Sequence, residues 1–76
     1  MSIYIRTRAD ILALQSRVIG WAAGVVRPHT GAHAAVTLAL RYLETAAELT
    51  GARRTYFLRC AHDQWRVAVH LTGGQT

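Results

Sequence analysis

Residues 53–72, RRTYFLRCAHDQWRVAVHLT, carry the pattern from which the architecture of the chain is read. In the first half Tyr56, Leu58 and Cys60 alternate with Thr55, Phe57 and Arg59. In the second, Trp65, Val67, Val69 and Leu71 alternate with Arg66, Ala68 and His70. A period of two belongs to strands, in which successive side chains point to opposite faces. With Ala61-His62-Asp63-Gln64 as the turn, Cys60 pairs with Trp65, Leu58 with Val67 and Tyr56 with Val69, so that both apolar rows share one face. The opposite face then holds Arg59 directly across from Arg66, with Arg53, Thr55, Phe57 and His70 around them.

Working outward from this hairpin, Ser2–Arg6 repeats the alternation, with Ile3 and Ile5 set against Tyr4 and Arg6, and reads as a short strand. Thr7-Arg8-Ala9-Asp10 has the spacing of a capping box and opens a helix. Ile11, Leu14, Val18, Trp21 or Ala22, and Val25 form its stripe, flanked by Leu12, Ile19 and Val26, while Asp10, Arg17, Gly20, Gly24 and Arg27 line the back. Gly20 and Gly24 each cost about 1 kcal/mol of helix propensity relative to Ala, so a close helix approach or a partner surface is the expected reason for them. Pro28 stops this helix by disfavouring helical geometry at Arg27. A second helix is predicted from about Thr30 to Thr50, with Val36, Leu40, Leu43 and Ala47 on one stripe and Gly51 as its stop. The short connection predicts that the two helices pack antiparallel as an αα-hairpin. The expected fold is therefore α+β, in the order β-α-α-β-β: a three-stranded, mainly antiparallel sheet with the αα-hairpin packed on one face.

Seventy-six residues make a single domain, 1–76, with a flexible tail expected from about residue 73. Apolar residues make up 51% and charged ones 17%, which supports a packed core and excludes a disordered chain. The single cysteine, Cys60, leaves no internal disulfide, and no charged segment followed by an apolar one opens the chain, so a cytoplasmic protein is expected. No apolar run approaches the ~20 residues that span a bilayer. The net charge of +5 comes from arginine alone, with no lysine and no asparagine, a usage that suggests a high-GC bacterial or phage genome. Such a charge favours an anionic partner.

The open sheet face is the leading candidate site. It collects Tyr4, Arg6, Arg53, Phe57, Arg59, Arg66 and His70, arginines interleaved with aromatics, as in surfaces that neutralise phosphates and stack bases. Like charges directly across a hairpin repel, and an anion between Arg59 and Arg66 relieves that repulsion. A weaker candidate gathers His29, His33, Cys60 and His62 at one end as a zinc site, although the spacings match no common zinc signature and the hairpin register turns Cys60 inward. No metal and no other cofactor is therefore expected. No enzyme is expected either: Cys60 and His62 are not placed as nucleophile and base, and Asp10, Glu44, Glu48 and Asp63 are scattered.

A short, arginine-rich chain of this size, character and architecture, with no catalytic set, resembles the small phage and mobile-element inhibitors of the anti-CRISPR type. Those proteins share no common motif, and the resemblance rests on no single residue. It implies a non-enzymatic protein that blocks a bacterial protein or ribonucleoprotein complex stoichiometrically, in the host cytoplasm if phage-encoded. The net charge of +5 argues against the acidic DNA-mimic mechanism. The alternative is a nucleic-acid-binding module, for single-stranded or regulatory sites, that uses the same arginine and aromatic face. Cys60 and the sheet edges leave a homodimer open.

Overall fold

Thr7 starts the first helix as its sequence requires. Its hydroxyl Oγ1 accepts from the Asp10 backbone N–H at 3.2 Å, and its own N–H donates to Asp10 Oδ2 at 3.0 Å, which closes the capping box. The computed structural model describes residues 7–73, and these form three helices: α1 (Arg8–Val25), α2 (Gly31–Ala47) and α3 (Gly51–Leu71). The expected first strand, Ser2–Arg6, and the tail beyond Gly73 lie outside the described residues.

Val26 leaves α1 in extended geometry, and Thr30 then caps α2 by accepting from the His33 N–H at 3.1 Å. The turn between them holds His29 at φ 64°, left-handed backbone that side chains other than glycine seldom adopt. At the far end of α2, Gly51 supplies the left-handed residue (φ 61°) that swings the chain into α3. Arg54, one turn into α3, reaches back, and its Nε and a terminal nitrogen donate to the carbonyls of Ala46 and Ala47 at 3.1 and 3.3 Å. These carbonyls belong to the last turn of α2, where the i→i+4 ladder ends; Ala46 also accepts from the Leu49 N–H at 3.2 Å.

The three helices run up, down and up. Arg8 lies beside Glu48 and Gln15 donates to the Leu40 carbonyl, so α1 starts where α2 ends. Arg54 meets Ala46 and Ala47, Phe57 meets Tyr42, and Gly31 lies against Leu71, so α3 retraces α2 along its length. The shared face of α2 and α3 is built from small residues: Ala32, Ala35, Ala39 and Ala46 on one helix, Ala61 and Ala68 on the other. Short side chains bring helix axes close. Ile11, Val18, Val36, Leu43 and Ala47 complete the buried core, with Leu14, Trp21, Leu40, Tyr42, Phe57, Leu58 and Trp65 packed around it.

The α+β architecture is thereby corrected. Residues 53–72 make no hairpin: all but the final Thr72, which caps the helix, lie in α3, and no strand is present among the described residues. Arg54, Phe57, Leu58, Ala61, Trp65 and Ala68 recur every three to four residues and turn one stripe inward. Ala68, expected outward, is 0% exposed, while Tyr56, expected in the core, is 63% exposed. The proposed turn, Ala61-His62-Asp63-Gln64, contains no glycine, proline or asparagine to bend the chain, and it continues as helix.

Candidate functional site on helix α3

With 3.6 residues per turn, Arg59, Asp63, Arg66 and His70 fall on one side of α3, opposite Ala61 and Ala68. All four are exposed, and Tyr56, Val67 and Leu71 border them with 63%, 45% and 55% of their surfaces open. Asp63, Arg66, Val67, His70 and Leu71 line a shallow depression on this outward surface. Arg59 and Arg66 stand two turns apart, about 10.5 Å along the axis. Among the described residues the ion pair found is Arg8 with Glu48, so neither arginine of this face has a described carboxylate within 4 Å, Asp63 between them included.

Charge is concentrated on this helix. α3 carries Arg53, Arg54, Arg59 and Arg66 against Asp63 alone, whereas α2 sets Arg41 against Glu44. Tyr56 and Cys60 lie one turn apart on this helix. Hydrogen bonding to the Cys60 side chain, followed by the charge of a thiolate there, raises the tyrosine above its ordinary value of 10.0.

The residues expected on an open sheet are separated by this geometry. Arg59, Arg66 and His70 remain together on an outward face, now that of a helix. Phe57 turns inward against Tyr42, with ring centroids 6.1 Å apart, and leaves the site. Arg53 is exposed but lies about a third of a turn round the helix from Arg59. Tyr4 and Arg6 lie outside the described residues. Asp63, Val67 and Leu71 were not expected at the site, yet Arg59-x3-Asp63-x2-Arg66-x3-His70 is the polar spacing of a helix surface and marks their side of it.

The histidines and cysteine do not assemble. His29 and His33 are neighbours at the start of α2, with ring centroids 6.5 Å apart. Leu71 is the residue of α3 at that end, and His62 lies nine residues before it, about 13 Å back along the axis. Among the described residues no three His, Cys, Asp or Glu side chains are placed to hold a metal ion. Cys60 and His62 diverge by about 200° around the helix.

The fold and this face define a three-helix domain with one basic, partly apolar helix surface. No protein-family model matches the chain, and neither curated proteins nor solved structures give a match. No helix among the described residues is long and apolar enough to cross a membrane.

Proposed function

We propose that the chain is a non-enzymatic binding protein that attaches through the outward face of α3 to an acidic protein surface and acts by covering it, a stoichiometric mode in keeping with its small size and arginine-rich composition. The observation that carries this reading is the unpaired Arg59 and Arg66 set among exposed Tyr56, Val67 and Leu71. Arginine and tyrosine are the residues that most often supply the binding energy of protein interfaces. A phosphate-binding face gains nothing from Val67 and Leu71. Nor is α3 presented as the recognition helix of a helix-turn-helix, since it lies alongside α2 rather than crossing it. The arginine excess keeps single-stranded nucleic acid or a guide RNA as the second reading.

The test is recovery of a tagged chain from bacterial lysate with and without nuclease, beside an Arg59→Glu/Arg66→Glu variant. A defined protein set that survives nuclease and is lost from the variant, while the variant keeps its helical circular dichroism, is the expected result. Material lost on nuclease treatment, with affinity falling steeply with salt, would move the reading to nucleic acid. Full retention by the variant would remove α3 from the interaction.

A further inference from the structure

The spacing of charge along α3 restricts what can meet it. Arg59, Asp63 and Arg66 are exposed in the order plus, minus, plus, about 6 Å and then about 4.5 Å apart along the helix axis. Neither arginine has a described carboxylate within 4 Å. A protein element that pairs with both needs carboxylates about 10.5 Å apart on one of its faces. Extended chain does not supply them. Strand residues two and four apart share a face at about 6.6 and 13 Å, and residues three apart, at about 10 Å, point to opposite faces. In a helix, residues seven apart return to within about 20° of the same side after about 10.5 Å.

The apolar residues of this surface lie to one side of the charged row. Counted round the helix from Arg59, Tyr56, Val67 and Leu71 fall about 60°, 80° and 120° away in one direction, and all three are exposed. In the other direction stand Thr55, His62 and the half-buried Val69. Val67 and Leu71, one turn apart, are also walls of the shallow depression that Asp63, Arg66 and His70 complete. A neighbouring helix fills such a recess with one apolar side chain, as a ridge enters a groove.

We infer that α3 docks an acidic amphipathic helix of the partner protein, which lies along it with two carboxylates seven residues apart against Arg59 and Arg66, a basic residue facing Asp63, and an apolar row against Tyr56, Val67 and Leu71. This rests on the reading that α3 attaches to an acidic protein surface, and it names the element presented there. Charge complementarity selects the occupant. α3 carries Arg53, Arg54, Arg59 and Arg66 against Asp63 alone, in a chain of net charge +5, so the same helix of a second copy is repelled. Opposite charges alternating along two facing helices fix their register, while the apolar row beside them supplies the contact area.

Fluorescence anisotropy of the full chain with labelled, alanine-based helical peptides of about 20 residues tests this. The in-register peptide carries glutamates seven apart with two lysines midway between them, so that it reads the same in either direction along α3, and a leucine row on the adjoining side. The control has the same composition, with the second glutamate moved to nine residues from the first and so to the opposite side of the helix. The in-register peptide should bind more than ~10-fold tighter than the control, and Arg59→Gln/Arg66→Gln, still helical by circular dichroism, should erase the difference. Equal binding of the two peptides, both weakened in the variant, would overturn the docked helix while leaving an acidic protein surface as the partner. Binding of neither peptide up to ~1 mM would overturn it as well, and capture from lysate then decides the broader reading on its own. Tighter binding of a single-stranded uridine oligonucleotide than of the in-register peptide would overturn both.

Discussion

Trp21 of α1 and Trp65 of α3 stand edge to face, with ring centroids 4.4 Å apart and planes inclined by 62°. Each helix packs mainly on α2. The indole pair therefore bridges the first and third helices, whose backbones do not approach each other closely. Such aromatic pairs contribute roughly 0.5–1.5 kcal/mol beyond the area they bury.

Trp65→Ala is expected to destabilise the domain by about 3 kcal/mol, a large share of the 5–15 kcal/mol that holds a small protein together. Trp21→Ala should cost a similar amount. The double variant should lose about 1 kcal/mol less than the two single losses combined, as contacting residues do. Urea unfolding followed by circular dichroism measures all three, and strict additivity would mean that the rings do not interact in solution.

Arg54 is the arginine that the fold uses for itself. Its guanidinium donates to the carbonyls of Ala46 and Ala47, both buried residues, and so satisfies acceptors that water reaches poorly at the end of α2. Arg54→Ala should lower stability by about 1–2 kcal/mol. Arg53→Ala, next to it but outward, should change stability by less than about 0.5 kcal/mol. Equal effects in thermal denaturation would contradict the capping role.

The sequence made both ends of α1 and the start of α2 legible; α2 ends at Ala47, before the expected Thr50, Gly51 opens α3 instead of stopping α2, and the third helix was hidden. Thr7 with Asp10, Pro28, and Thr30 are local devices that act within a turn, and each acts where its spacing says it should. Gly20 and Gly24 were read as a close helix approach or a partner surface, and the open space around both rules out an approach within the chain. In α3 the alternation of Tyr56, Leu58 and Cys60, and of Val67, Val69 and Leu71, coincides with a helical stripe through Phe57, Leu58, Ala61, Trp65 and Ala68. β-Branched and aromatic residues favour strands only weakly, and burying that stripe against the alanines of α2 outweighs the preference. Length was the better guide, since 21 residues free of glycine and proline follow Gly51. Of the site, the pairing of Arg59 with Arg66 and His70 survived because positions seven and eleven apart share a helix face as well as positions across a hairpin can.

Among the described residues His29, Gly51 and Gly73 hold left-handed backbone, and His29 is the one that is not glycine. Gly51→Ala should destabilise by about 1 kcal/mol, because a Cβ at φ 61° strains the turn into α3 although no neighbour lies in its way. His29→Gly should do the reverse, relieving strain at φ 64° for a gain of some tenths of a kcal/mol after the entropy of the freer unfolded chain is set against it. Opposite shifts in melting temperature are the expected signature.

The contact between Tyr56 and Cys60 gives the α3 face a spectroscopic handle. Hydrogen bonding to Cys60 and the charge of a thiolate there both disfavour the phenolate, so its folded value lies above the ordinary 10.0. A raised acid favours the folded state below the unfolded value, and that contribution is lost as pH climbs through the folded one. An ultraviolet titration should show a tyrosine ionising later than a free one, and Tyr56→Phe should remove that late phase. Cys60→Ala should move it back toward 10.0, because both leading causes of the shift reside in the thiol. If the late phase persists in Cys60→Ala, the two side chains are not in contact and the outward turn of Tyr56 beside Arg59 needs another explanation.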